Sequence, residues 1–359
     1  MTARTPSQRV LDRSVGENLD RLITVDARGD GICRVIYDAA RALTDEPLTL
    51  TAARLLVDHV APGDRVLILT GFLIPPGDVP ETDGPIGSAV LAHALVRALR
   101  AVPVFACEPQ AFAVVDAALR GAGLAVVDDV ATAEERGNTA ALVPFPRDAA
   151  DPAALAAALA QDIRPAVCVA VERPGANRQG QYHFAGGANV TASIARVDAL
   201  FAEVARRGSR TVAIGDFGNE LGMGAIADAV RAETPAGGSC GCGCGGGTAN
   251  EASADATVAC TVSDWGAYAL AAAVGHLTDR PEALPTTETY RRVAEAACAA
   301  GAIDGTSRLA VPDIDGVPAA YHLRLFDQLR DVVALPRRPY LDNAGRAFRA
   351  GRYFPETSE

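Results

Sequence analysis

Long apolar runs, basic clusters and familiar catalytic motifs are what this chain lacks. No stretch of its 359 residues reaches the roughly 18 apolar positions that a bilayer-spanning helix needs, which argues against a membrane protein. Positive charge is carried by arginine and nowhere forms a basic run. With a formal net charge of -11, such a chain has no phosphate-tracking surface for nucleic acid. The opening "MTARTPSQRV" has no apolar segment of the secretory kind, so a cytoplasmic location is expected. Neither a G-x-S-x-G elbow, nor a Walker lysine loop, nor an H-E-x-x-H helix occurs, which disfavours a serine hydrolase, a P-loop enzyme and a zincin.

What remains is a globular composition, 49% apolar and 21% charged, long enough for one large α/β domain or two smaller ones. Short β-branched runs bounded by turn residues recur at 64–70, 102–106, 123–129, 165–172, 210–216 and 255–263. Their nearly continuous hydrophobicity is the mark of strands buried on both faces of a parallel sheet. Alanine- and leucine-rich segments with helical spacing lie between or after them, at 86–101, 151–162, 193–207, 223–233, 265–277, 287–301 and 319–333. The alternation predicts a mostly parallel, doubly wound, Rossmann-like α/β sheet with helices on both faces. Residues 1–60 read as a helical N-terminal extension packed on the core, 61–335 as the α/β domain and 336–359 as a surface tail. The loop-like stretch near 130–150 is a candidate division between two lobes.

Ligands of open α/β sheets gather beyond the carboxyl ends of the strands, so residues there carry the most functional weight. After the first strand come Thr70 and Gly71, then Glu81, Thr82, Asp83 and Gly84, then a helix beginning near Pro85 whose N–H groups, with Gly87 and Ser88 allowing close approach, suit an anion. Helix capping accounts for Asp83 but not for Glu81. Glu172 and Arg173 close a later strand, ahead of the polar loop that holds Arg178, Tyr182 and His183; Arg173 reads either as a bidentate carboxylate clamp or as half of a surface ion pair. In "IGDFGNELGMG", Asp216, Asn219 and Glu220 stand among Gly215, Gly218, Gly222 and Gly224, with acids where a dinucleotide's phosphates would sit. Such a loop suits a cation, an ammonium group or proton transfer. In "TVSDWGAYAL", Ser263 or Asp264 can cap a helix, and Trp265 reads either as packing or as a pocket wall.

Of eight cysteines, five are isolated: Cys33, Cys107, Cys168, Cys260 and Cys298, read as buried thiols. The other three, Cys240, Cys242 and Cys244 in "GGSCGCGCGGG", match no standard zinc spacing. They fit a soft metal, a labile disulfide, or simply a flexible glycine-rich lid. Glu81, Asp83 and Asp216 are the candidates for a hard divalent metal, although no cofactor is required by the sequence.

In this order, "TGFLIPPGDVPETDGPIGSAVLAHAL", "VERPG", "GDFGNELGMG" and "VSDWGAYALAAAV" resemble the D-glutamate cyclase-like C-terminal domain family. Eukaryotic members of that family form the C-terminal half of a lyase that converts D-glutamate to 5-oxo-D-proline and water. The resemblance implies an α/β fold, a small acidic substrate, and either a homo-oligomer or a separate cyclase-type partner. On that expectation Asp216 and Glu220 divide the base and acid roles, with Glu172 in the same carboxylate set. Arg173 and the N–H groups from Gly84 to Ser88 grip substrate carboxylates, and Glu81 and Asp83 take the ammonium or a cation. Two alternatives stand beside it: a non-catalytic metabolite-binding or regulatory partner domain, and a metal-assisted hydrolase.

Overall fold

The computed structural model of the protein describes residues 5–337, so all but two residues of the tail expected at 336–359 lie outside the described residues. Three helices come first, α1 (Pro6–Ile23), α2 (Ile32–Arg41) and α3 (Leu48–His59). Thr5 and Gln8 close a capping box on α1, and the buried Asp20 near its end accepts the Leu48 and Thr49 N–H groups at the start of α3, at 2.7 and 3.1 Å. A carboxylate on one helix thereby fixes where another begins.

The sheet follows. In chain order come β1 (Arg65–Thr70), a small antiparallel hairpin of β2 (Leu73–Ile74) and β3 (Val79–Pro80), α4 (Pro85–Leu99), β4 (Val102–Cys107) and α5 (Phe112–Gly121). Next are β5 (Ala125–Val127), α6 (Val130–Arg136), β6 (Thr139–Pro144), α7 (Pro152–Ile163), β7 (Val167–Val171) and α8 (Asp198–Arg206). The chain continues through β8 (Arg210–Gly215), α9 (Ala227–Glu233), β9 (Ala256–Ala259), α10 (Ser263–Leu277), α11 (Thr287–Ala299) and α12 (Ala319–Ala334).

Seven strands pair in parallel in the order β5-β6-β4-β1-β7-β8-β9. Period-two alternation along each strand explains the layers. Val66, Ile68, Val169, Val171 and Ile214 join one apolar cluster with residues of α3, α4 and α10, while Leu67, Leu69, Cys168 and Ala170 pack on the other face with α7 and α8. Burying each such Val, Leu or Ile side chain stabilises the fold by about 1.5–3 kcal/mol. Winding reverses at β1, whose sequence successor β4 lies on one side and whose later neighbour β7 lies on the other. The crevice between the carboxyl ends of β1 and β7 is therefore the place where this topology leaves room for a ligand.

Several elements differ from expectation. The stretch near 130–150 is not loop: it forms α6 and β6, and β6 pairs between β5 and β4. Glycine and asparagine before it and Pro144 at its end disguise a short strand of small residues. The helix expected at 193–207 begins only at Asp198, and that at 223–233 opens with a 3-10 turn, Gly224–Ile226. Cys33, Cys107, Cys168 and Cys260 are buried, whereas Cys298 is only partly covered.

Candidate functional site

A cavity of about 210 Å³ opens at the carboxyl edge of β1, β7 and β8. Four loops contribute carboxyl groups to its lining: Glu81 from the loop after β1, Glu172 from the end of β7, Asp216 from the end of β8, and Asp315 from the segment between α11 and α12. Asn219, Phe217, Ile74, Gly305 and Thr306 complete the polar and apolar walls, together with the chain from Phe184 to Gly186. One wall is aromatic, with the Phe72 and Phe184 rings stacked 4.9 Å apart and 5° from parallel.

The glycine-rich loop after β8 folds around its own acid. The Glu220 carboxylate turns back to accept the N–H groups of Phe217 and Gly218 at 3.1 and 2.8 Å, and a Cβ on Gly215 would lie 2.4 Å from Glu220 Oε2. Gly218 sits at φ +88°, a conformation that side chains rarely adopt. The same loop is laced to the one after β7, with Leu221 N–H donating to Arg173 O at 2.7 Å and Gly175 N–H to Asn219 O at 2.8 Å. The Asn219 amide donates to His183 O at 3.1 Å, and its own oxygen, buried, has no partner. Asp216, Asn219 and Glu172 are thus held together by backbone contacts rather than by one another.

Asp83 and Asp264 cap each other's helices. Asp83 precedes α4, yet its oxygens accept the N–H groups of Ser263 and Asp264 at the start of α10, at 3.1 and 2.8 Å. Asp264 in turn accepts Gly84 and Gly87 N–H at the start of α4, at 2.9 and 2.7 Å. Asp83 was expected as a cap for the helix it precedes or as a ligand for cation or substrate; these two N–H partners, with Gly84 N–H as a third at 3.0 Å, leave it a structural job. The N–H groups of Gly84 and Gly87, expected to hold a substrate carboxylate, already hold one from the protein. Ser88, buried in the first turn of α4, and Thr82, whose hydroxyl donates to Asp313 O at 2.8 Å, also lie outside the cavity lining.

Arg173 is a correction as well. It is not a substrate clamp: its guanidinium is fully buried and donates to Glu108 at 2.6 and 2.7 Å and to the carbonyls of Gly71 and Ala195, each at 2.9 Å. Burial at the strand end demanded a partner, and Glu108, 65 residues earlier, supplies it. Gly71 serves this ion pair rather than the cavity. Trp265 is fully buried, donates to His322 Nδ1 at 2.8 Å and stacks on Tyr321, so it is packing and not a pocket wall. Thr70, at the end of β1, is buried with its hydroxyl unpartnered, 2.7 Å from where a Cβ on Gly84 would sit.

Arg28 and Asp315 enter the site from places with no functional reading in the sequence, and Ser263, expected only as a helix cap, enters with them. Arg28, in the turn "DARGDG", reaches Asp216 at 2.5 Å and Asp315 at 2.8 Å, and its guanidinium lies 4.0 Å over the Phe217 ring. The only signal in the sequence was an arginine isolated among acids. Ser263 donates its hydroxyl to Glu172 Oε2 at 2.5 Å.

One guanidinium among so many buried carboxyls leaves most of the negative charge uncompensated, so the site retains protons. Burial pushes the Asp216 carboxyl up to about 7, with Arg28 opposing and Glu220 adding to the rise. Burial, then Asp216 and Glu220, hold Glu172 well above the ordinary carboxylate range. Glu81 rises for the same reason, with Asp315 as its foremost charged neighbour. Burial also raises Glu220, against the N–H groups that favour its charged form. Asp264 is pushed up to about 7 by burial despite the donors from α4, and burial with the facing Asp264 raises Asp83.

Ligand atoms come within 4.8 Å of one another in three groups: Asp83, Asp216 and Asp315; Glu172, Asp216 and Glu220; and His183 with Cys240, Cys242 and Cys244. The first two offer oxygen ligands of the kind hard cations take, and the third is a soft set. Glu81, named beforehand with Asp83 and Asp216 as a metal candidate, belongs to neither acidic group.

Protonatable carboxyls, drawn from four loops to a small cavity at the reversal point of a parallel sheet, mark an α/β protein with an acid-lined cavity where ligands of such sheets gather. A family model described as "D-glutamate cyclase-like, C-terminal" matches residues 19–330, and the chain belongs to that family. It is also similar to the mitochondrial D-glutamate cyclase of Homo sapiens, 31% identical over 265 residues. That match covers 71% of this chain and 38% of the human protein's length. Among the described residues, no helix is long and apolar enough to cross a membrane.

Proposed function

We propose that this chain is a lyase-type enzyme acting on a small acidic amino acid, and that it cyclises D-glutamate to 5-oxo-D-proline and water. The observation that carries the proposal is the meeting of Glu81, Glu172 and Asp216, from three strand ends, in one small cavity. At about 210 Å³ that cavity suits a compact metabolite, being smaller than the ~300–1,000 Å³ clefts that hold drug-sized ligands.

The reaction needs a neutral amine, an electrophilic side-chain carboxyl and a protonated leaving group. The substrate nitrogen loses a proton to an ionised carboxylate and bonds to the side-chain carboxyl carbon. The C–O bond to the hydroxyl then breaks, and that oxygen departs as water with a proton from a neutral carboxyl. Asp216, poised near 7 beside Arg28, suits the base role, and Glu172, kept neutral by burial and oriented by the Ser263 hydroxyl, suits the acid role. Glu220 shapes the loop that holds Asp216. Neutral carboxyls such as Glu81 donate hydrogen bonds to the substrate's own carboxylates, as an anionic guest in an acid-lined site requires. The chain contains no lysine, so an imine to the protein has no part in this route.

A second reading is favoured by the chain's match to only 38% of its relative: a metabolite-binding partner that regulates a separate catalytic protein. Incubation of the purified chain with D- and L-glutamate, with and without added magnesium or manganese, tests both. Lactam formed from D-glutamate and lost in Glu172→Gln supports catalysis. Saturable binding with no lactam in any arm supports the partner reading, and neither binding nor turnover overturns both.

A further inference from the structure

We infer that Cys240, Cys242, Cys244 and His183 form a metal site for one soft divalent ion of the zinc class, separate from the acidic cavity. Cys240 Sγ lies 3.1 Å from Cys242 Sγ and 3.3 Å from Cys244 Sγ, while His183 Nε2 lies 3.2 Å from Cys242 Sγ and 3.8 Å from Cys244 Sγ. A disulfide would bring two sulfurs to about 2.05 Å, and all eight cysteines are free thiols. A tetrahedral ion with bonds of about 2.3 Å to sulfur and 2.0 Å to nitrogen sets sulfurs about 3.8 Å apart and sulfur and nitrogen about 3.5 Å apart, so the sulfurs would spread by about half an ångström while the two imidazole contacts already straddle their value. Three sulfurs and one imidazole are the ligand set of a closed, structural site.

The backbone is built for it. Gly241, Gly243 and Gly245 take φ of +71°, +88° and +72°, so each residue after a cysteine bends the chain and the three thiols turn toward a common point. Donors then face the sulfurs, with Gly246 N–H at 3.3 Å and the Asn177 amide at 3.5 Å from Cys244 Sγ, an arrangement that favours thiolate. The loop is not loose: Asn177 also donates to Gly247 O at 2.6 Å, Arg178 to Gly245 O at 2.8 Å, and a Cβ on Gly187 would lie 2.6 Å from Cys240 O.

The ion has a mechanical consequence. His183 precedes the segment Phe184–Gly186 that walls the acidic cavity, and its carbonyl receives the Asn219 amide. Metal binding therefore clips the cysteine loop to the cavity wall and, through Asn219, to the loop that carries Asp216.

The test uses the full chain, purified from zinc-supplemented medium, with elemental analysis and cobalt substitution as readouts and no assay of turnover. The expected result is about one zinc per chain, replaced by cobalt with thiolate-to-metal charge-transfer bands and the strong visible bands of tetrahedral coordination. Cys242→Ser, at an exposed position, and His183→Ala should each bring zinc to background and remove those bands, with the far-UV circular dichroism of each variant unchanged. Folded protein that takes up neither metal, whose three thiols react freely, overturns the inference. So does metal retained in both variants with a six-coordinate cobalt spectrum, which would place it among the carboxylates, and so does a mass two hydrogens low, which would mean a disulfide.

Discussion

Replacing Arg173 by methionine should destabilise the fold far more than it alters any ligand contact. The change removes the buried guanidinium that answers Glu108 through two charge-assisted hydrogen bonds and that ties the carbonyls of Gly71 and Ala195. Both side chains of the pair are 0% exposed, so Glu108 would be left charged and buried with only the Ala195 N–H, 2.6 Å away, to answer it. Breaking one side of a buried pair costs about 3–5 kcal/mol, which is roughly two to four orders of magnitude in the folding equilibrium. Trp265, the sole tryptophan and fully buried, gives a fluorescence signal for equilibrium unfolding in urea. The midpoint should fall markedly with an unchanged slope. Adding Glu108→Leu should recover most of the loss, because no charge then remains without a partner. Arg173→Lys should fall between, since an ammonium cannot span Glu108 and two carbonyls with a planar fork. A methionine variant as stable as the parent would refute the assignment, and one that was stable yet lost substrate binding would restore Arg173 as a clamp.

Gly87→Ala should cost about 1–3 kcal/mol in chemical denaturation, because its Cβ would lie 2.4 Å from Asp264 Oδ1 and 2.8 Å from Asp264 Cα; no loss would mean that α4 and α10 are less closely docked than described. Stability should decline as pH rises. Asp216 and Asp264 have carboxyls raised from 3.8 to about 7 by burial, so the stability their protons confer is complete below about 3.8 and is lost as pH climbs through about 7. Thermal scans from pH 4 to 8 should show that decline, Asp216→Asn should flatten part of it, and a midpoint rising with pH would contradict the assignment. In the lactam assay, Glu172→Gln should lower turnover by about 10²–10⁴-fold, the usual worth of a positioned acid–base group. Undiminished turnover would remove Glu172 from the chemistry.

The parallel sheet was legible because strands buried on both faces carry unbroken β-branched runs, as "RVLILT" and "VCVAV" do. β6 escaped because "TAALVP" is short, alanine-rich and closed by proline, and adjacent turn residues outweighed it. Glu81, Glu172 and Asp216, which line the cavity, could be picked out since topology alone puts strand-end residues at the crevice, whereas Glu220, picked with them, turns back onto its own loop. Arg28, Glu108 and Asp315 could not, because their partners lie far along the chain and local pattern carries no trace of them. Arg173 shows the same limit from the other side. An arginine leaving a strand looks alike whether it reaches toward a ligand or toward a carboxylate 65 residues away.

The exchange of caps between Asp83 and Asp264 joins positions 181 residues apart. Neither helix start has its full set of acceptors until the other has arrived, so the two termini must be completed in a single late event, and closing so long a span is slow. Gly84 N–H also has Asp83 Oδ1 at 3.0 Å, so a chain shortened to end ahead of residue 263 should leave α4 frayed at its first turn, visible as rapid amide exchange at Gly87. Slow exchange there would mean that another acceptor can stand in.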